Sequence, residues 1–356
     1  MKSIRACGIA ALTVVAALLA GCSAPAPAET ASSSHSASPT PTPTPTAAPA
    51  PTARVPLTCD QLVPPAVVAA AFRAPVTPVT TETSLNPASY ADERAGALRC
   101  SWGEGDPAQS AAEKQLYGWV TVVPGVTREG FEDFRTGIDV GGFDEPLGTE
   151  PDTYSMCPQN AYQLCGFFAL TPEYAVQAGI WDYGAATHET QSSWVEAVSA
   201  AALPAVRALH APVPLWQPAG PTLRGAQDCD GLITEADIGS VIGQEVSPVR
   251  ADGGENALST LGINRVVHSY WCAWSTQNSS GVSAAVLPGG AVYALQTRPP
   301  GAVDVTGVGD SAYRSGTTLN VIASGGWVQV QGDSAITEEQ VTAIAKQVLV
   351  NVGYTG

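Results

Sequence analysis

The sequence predicts an α+β protein built from two tandem homologous domains. Each is an antiparallel sheet packed against N- and C-terminal helices and stapled by disulfides. Three observations lead to this reading. One residue pattern occurs twice: Cys59-Asp-Gln-Leu-Val-Pro-Pro-Ala aligns without a gap with Cys229-Asp-Gly-Leu-Ile-Thr-Glu-Ala. The same register pairs Val76 with Val246 and Pro78 with Pro248. Further on, Cys100-Ser-Trp102 answers Cys272-Ala-Trp274, Val122-Val-Pro-Gly125 answers Val286-Leu-Pro-Gly289, and Tyr174-Ala-Val-Gln177 resembles Trp327-Val-Gln. The second observation is that cysteines fall at equivalent places in both copies. The third is that helix-period apolar runs bracket strand-like runs in each copy. Each copy is long enough to bury its own core, so this is a pair of domains and not a solenoid.

The elements follow in chain order. Lys2 and Arg5 precede an apolar run, Ile9 to Ala20, that is too short to span a bilayer as a helix. It closes on Leu19-Ala20-Gly21-Cys22, which resembles the bacterial lipobox. The resemblance implies cleavage after Gly21 and lipid attachment at Cys22, with the bilayer as partner and the outer face of the cell membrane as the location. Residues 1–21 are then a lipoprotein signal peptide. Residues 22–56 are the lipidated Cys followed by a Pro-, Thr-, Ser- and Ala-rich tether around Pro39-Thr-Pro-Thr-Pro-Thr-Pro-Thr46, which buries no core and favours extended polyproline II. Its Thr-Pro run resembles the mannosylated stalks of some actinobacterial lipoproteins. Repeat domain 1 covers 57–210, a Pro-rich linker 211–225, and repeat domain 2 226–356.

In the second copy, Thr234-Glu-Ala-Asp237 marks a capped helix start, and Ile238, Val241 and Ile242 share a face that stops at Gly243. Val267 to Ser275 and Val282 to Leu287 are expected to be strands. Leu319 to Ala323 and Trp327 to Val330 are expected to form a hairpin around Ser324-Gly325-Gly326. Thr337-Glu-Glu-Gln340 is a capping box opening a helix faced by Val341, Ile344, Val348 and Val352. In the first copy a closing helix is expected from about Ser193 through Val206, with Pro204 as a candidate kink.

Of eight cysteines, Cys7 leaves with the leader and Cys22 takes the lipid. Export permits disulfides, and the duplication selects Cys59–Cys100 and Cys229–Cys272, leaving Cys157–Cys165. Zinc is disfavoured, because tight Cys-x₂₋₄-Cys spacing and clustered His are missing. No metal or cofactor is expected.

An early Cys-x-x-Leu helix, a Cys-x-Trp strand, Gly307-Val-Gly-Asp-Ser-Ala-Tyr313 and a C-terminal helix together resemble a domain of unknown function common in actinobacterial envelope lipoproteins. The resemblance covers the second copy almost end to end and the first more loosely, since Leu147-Gly-Thr-Glu-Pro-Asp-Thr-Tyr154 replaces the Gly-x-Gly-Asp pattern. A fainter similarity links the chain to extracellular sensor domains of actinobacterial receptor kinases. Neither implies catalytic residues.

Charge excludes one class of function. The chain carries 16 Lys+Arg and 32 Asp+Glu, net −16. Loss of Lys2 and Arg5 leaves 14 against 32, net −18. Nucleic-acid binding needs the opposite balance. His35, His188, His210 and His268 form no metal motif, and the sequence has no nucleophile elbow or Ser-x-x-Lys. Glu129, Glu132 and Asp133, interleaved with Phe131 and Phe134, read as the solvated face of a short helix. Trp102 and Trp274 share a strand face with the cysteine two residues before, which predicts packing against the disulfide, while Trp271 points the other way. Trp216, in the linker, is the candidate binding residue, either sealing the domain interface or meeting a partner. The expected function is non-catalytic binding of an envelope ligand or protein. The alternative is a hydrolase or other enzyme acting on cell-wall or exported substrates.

Overall fold

The computed structural model describes residues 51–72, 76–79, 86–103, 116–136, 145–149, 151–157, 164–182, 188–249, 263–277 and 281–356. Residues 1–50, with Cys22 and His35, the side chains of Asp133, Phe134 and His188, and residues 158–163 between Cys157 and Cys165 lie outside what is described. Residues 47–356 form one compact unit.

Its centre is two antiparallel sheets, each of seven strands among the described residues. The first contains β1 (Thr77–Pro78), β2 (Leu98–Gly103), β3 (Leu116–Pro124), β4 (Glu145–Pro146), β5 (Thr153–Met156), β6 (Leu164–Leu170) and β7 (Tyr174–Asp182), in the order β1-β2-β3-β7-β6-β5-β4. The second contains β8 (Val246–Val249), β9 (Tyr270–Thr276), β10 (Gly281–Leu287), β11 (Val303–Val305), β12 (Ser311–Ser315), β13 (Thr318–Ala323) and β14 (Gly326–Gly332). Read from β8, its order is β8-β9-β10-β14-β13-β12-β11, the first order shifted by seven. Register agrees as well: Pro78 lies opposite Trp102, and Pro248 opposite Trp274.

Alternation along the strands gives each sheet two faces. On one face of the first sheet, Val120, Val122, Phe167 and Val176 pack under Trp194, Val195, Val198 and Ala202 of the helix His188–Arg207. On the second sheet, Val286, Val321, Val328 and Val330 pack under Val341, Ile344 and Val348 of the helix Glu338–Asn351. The expected caps are formed. Thr337 and Gln340 make a reciprocal capping box, and a second one, not expected from the sequence, joins Thr58 and Gln61. Thr234 accepts from the Asp237 amide, and Gly243 ends its helix in the left-handed region at φ 74°. Ser324 and Gly325 turn the β13–β14 hairpin with φ 44° and 68°, the pair of positive values that matches strand twist. Pro204 does not end its helix, which runs through to Arg207.

Three disulfides are present: Cys59–Cys100, Cys157–Cys165 and Cys229–Cys272. The two long ones each tie the first residue of a four-residue helix to a central position of β2 or β9. Trp102 and Trp274 lie in the same cores as Cys100 and Cys272.

One expectation needs correction. The strand expected from Val267 begins at Tyr270, and residues 263–267 are helical. Val266 and Val267 are β-branched, but here they belong to an apolar cluster drawn from both sheets, and that packing overrides propensity. Packing also begins upstream of residue 57: Val55 is buried, and the Arg54 amide donates to the Gly96 carbonyl at 2.9 Å.

Candidate functional site

The second faces of the two sheets meet in a shared apolar cluster. Val123, Phe168 and Ala175 come from the first sheet, and Leu287 and Trp327 from the second. Between them lie two short helical segments, each just upstream of a Cys-x-Trp strand. The first, Pro87–Tyr90 continuing into Ala91–Ala95, contributes Tyr90, Ala91 and Ala95. Pro87–Tyr90 packs on β9, β10 and β14 of the second sheet. The other, 263–267, contributes Ile263 and Val267 to the same cluster. Arg265 reaches Glu129 at 3.6 Å, on the helix Arg128–Thr136 of the first half. Tyr90 stacks on Tyr293 at 5.0 Å and sits 5.7 Å from the Trp327 ring. Phe131 stacks on Phe168 at 4.5 Å.

Arg94 stands at the centre of this seam and is 3% exposed. Its Nε donates to the Pro288 carbonyl at 3.0 Å, and its Nη2 donates to Gln217 Oε1 at 3.3 Å. Its guanidinium lies 5.1 Å from the Trp216 ring centroid, a cation–π contact. So Trp216, the sequence-predicted site residue, is half-buried in the seam with its indole N–H enclosed, and Leu215 packs on the shared cluster beside it. Burial lowers the proton affinity of Arg94, with Arg54 adding to the effect and Tyr293 opposing it. Burial also pushes the Tyr293 hydroxyl well above the usual phenol range, helped by Glu93. On the same short helix as Arg94, the Asp92 carboxyl is raised to about 6 by burial, opposed by Arg99 3.8 Å away.

Other polar side chains, the buried Asn320 and the exposed Asp310, also join chain segments. Asn320 Oδ1 accepts from Trp327 Nε1 and Gln329 Nε2, both at 2.9 Å. Asp310, from the Gly-Val-Gly-Asp motif, accepts from the Ser324 amide at 2.7 Å and from the Tyr354 hydroxyl at 2.8 Å. The motif is therefore a turn that fixes the β13–β14 hairpin and the C-terminal tail.

Among the described residues a cleft and a groove are open to solvent. A cleft of about 220 Å³ lies between Arg54, Tyr174 and the chain at 208–213, where the Tyr174 hydroxyl donates to the His210 carbonyl at 2.9 Å. A groove of about 800 Å³ lies between β11 and the helix Glu338–Asn351. Among the described residues, no three His, Cys, Asp or Glu side chains are placed to hold a metal ion, and no helix is long and apolar enough to cross a membrane.

The sequence singled out Trp216 and missed its partners. In Ala-Asp-Glu-Arg94 the arginine reads as a solvated charge, and nothing local marks Tyr90 or Tyr293 as facing each other across more than two hundred positions. The sequence signal that was available is Gly289 after Pro288, a left-handed position at φ 73° that leaves room for Arg94. The chain matches no protein-family model, no curated protein and no solved structure.

Proposed function

We propose that this chain is an exported lipoprotein, anchored through Cys22, whose folded part arose by tandem duplication and binds an envelope ligand or protein without catalysis. Support for duplication is the common strand order, the matched Cys pairs, and matched left-handed positions. Gly96 (φ 68°) and His268 (φ 53°) end the two seam segments, and Gly125 (φ 81°) and Gly289 (φ 73°) follow the two Val-x-Pro runs. The anchor rests on Leu19-Ala20-Gly21-Cys22, and the resemblance to actinobacterial envelope lipoproteins points the same way.

The observation that carries the binding reading is the use made of buried polar groups. Buried Arg94 and Asn320 bond to other chain segments and so hold architecture together. The open groove, by contrast, is bordered by a strand edge and exposed charges, which suits recognition of a surface. Trp216 serves this reading as the seal that sets how the two halves present themselves.

Two measurements test it. A palmitate-analogue label should enter the wild-type protein in its native host and be lost in Cys22→Ala. On a panel of peptidase, esterase and glycosidase substrates, the purified chain should give no turnover above buffer. Turnover that a point substitution such as Asp92→Asn abolishes would favour the enzyme reading and overturn this one.

A further inference from the structure

The two sheets end in four outer strands: β1 and β4 in the first, β8 and β11 in the second. Outer strands expose main-chain N–H and C=O groups that pair with any passing strand, and proteins blunt them with proline, which has no N–H to offer. Here β1 carries Pro78, β4 carries Pro146 and β8 carries Pro248. The fourth, β11, reads Val303-Asp304-Val305 and carries none. It pairs with β12 on one side. On its other side no strand lies among the described residues, and Val303 is 66% exposed. This strand also borders the groove of about 800 Å³, whose opposite wall is the helix Glu338–Asn351.

Among the described residues, Asp304, Arg314 and Glu338 of that groove are ion-paired. Arg314 meets Glu338, and Arg298 meets Asp304 at 2.9 Å. Glu339 is held by its own amide and by Thr337 at the helix start, which keeps its carboxyl below the usual range. Lys346, exposed on the same helix wall, has no carboxylate partner among the described residues.

We propose that the β11 edge and its groove are a docking site for an extended peptide segment of a partner protein, which adds as an eighth strand and sets a carboxylate against Lys346. Main-chain pairing supplies affinity in this mode, and the side-chain contacts supply selectivity. The net charge of −16 does not forbid an acidic peptide, because salt screens it beyond about 8 Å and the Lys346 contact is local. A second copy of this chain is the poorer occupant. Three residues paired edge to edge bury far less than the roughly 1,200 Å² of a stable interface, whereas a peptide lying in the groove also covers the helix wall.

The site deepens the binding reading, and its failure is separable from that reading's failure. The full-length protein in detergent micelles is panned against displayed random dodecapeptides, and an enriched peptide is synthesised for anisotropy titration. Enriched sequences should carry Asp or Glu beside β-branched residues. Val303→Pro, which copies the other three outer strands, should weaken binding about three- to tenfold. Lys346→Glu should weaken it about tenfold or more with an unchanged thermal melt. Amide exchange at 303–305 should slow when peptide binds. No enrichment, or equal affinity for wild type and both variants, overturns the site while leaving the lipidation and turnover tests untouched. Concentration-dependent dimerisation that Val303→Pro removes also overturns it, in favour of pairing between copies. Should Val303→Pro misfold, Lys346→Glu alone decides.

Discussion

Gly289 carries a constraint from two directions. Its backbone is left-handed at φ 73°, and a methyl group placed on it would lie 2.5 Å from Arg94 Nε. Gly316 shares the first constraint, at φ 57°, with nothing within 4 Å. Gly316→Ala should therefore cost the backbone strain alone, about 1–2 kcal/mol. Gly289→Ala should cost about 3 kcal/mol or more, because the crowded guanidinium must shift from the Pro288 carbonyl. Urea unfolding of the two variants measures the difference. Asp92 gives a pH-dependent counterpart. Its carboxyl sits near 3.9 in an unfolded chain and is raised to about 6 in the fold. The folded state thus holds the proton more tightly, so the contribution favours folding below about pH 4 and is lost as pH rises through about 6. The full shift corresponds to roughly 3 kcal/mol, reduced because 20% of the side chain remains exposed. Asp92→Asn should flatten the stability profile between pH 4 and 6 and stabilise at pH 7 by about 1–2 kcal/mol, readable from melts across that range. At this scale the sequence was readable where chemistry is local. Thr337 and Gln340, or Gly243, declare their roles within one turn. Arg94 does not, because its role depends on Pro288 and Gln217, which only tertiary packing brings near.

The helix His188–Arg207 holds Pro204 in its interior, where an N–H to the preceding turn is missing. Pro204 itself is exposed, while Ala202 and Val206 on either side are buried. Packing therefore holds the helix through a residue that disfavours it. Pro204→Ala should raise the denaturation midpoint, with a gain of up to about 3 kcal/mol and no change in the core. No gain would mean that the missing bond is already compensated within the last turn. The second seam segment shows the opposite error of local reading. Val267 is expected to open a strand, yet residues 263–267 form a helical turn in which Ile263 and Val267 complete the shared cluster. Its end residue, His268, takes φ 53° where the first half has Gly96 at 68°. His268→Gly should relieve that strain and stabilise by about 0.5–1 kcal/mol, and a loss instead would show that the imidazole makes a contact worth more than the strain. Strands, hairpin and caps were legible because their signals repeat every two or four residues. The seam segments were not, since what fixes them lies in the other half.

Taken as a whole, the molecule exchanges parts between its halves. Residues 87–90 of the first pack on the second sheet, and 263–267 of the second join the cluster shared by both sheets, with Arg265 reaching Glu129 of the first half. Neither half then buries all its aromatic surface alone. The fragment 221–356, made without the rest, should expose Leu287, Tyr293 and Trp327, all 5% exposed or less in the intact chain. It should bind a hydrophobic dye and self-associate, whereas the intact chain should do neither. A fragment that stays monomeric and dye-free would show that the halves are independent. Cys229→Ser with Cys272→Ser should cost about 4 kcal/mol, from a loop of 43 residues, against roughly 2.5 kcal/mol for the Cys157–Cys165 loop of 8.

The exchanged seam also sets a clock. A ribosome delivers Tyr90 long before Tyr293 and Trp327 exist to cover it. At roughly 5–20 residues per second, the gap of about two hundred residues lasts on the order of ten to forty seconds. Throughout that interval the nascent first half displays an aromatic patch with its natural cover still unmade. The newborn chain is then at its most vulnerable to proteases and most in need of a chaperone, and on the export reading that need lasts until the chain has crossed the membrane and the seam closes.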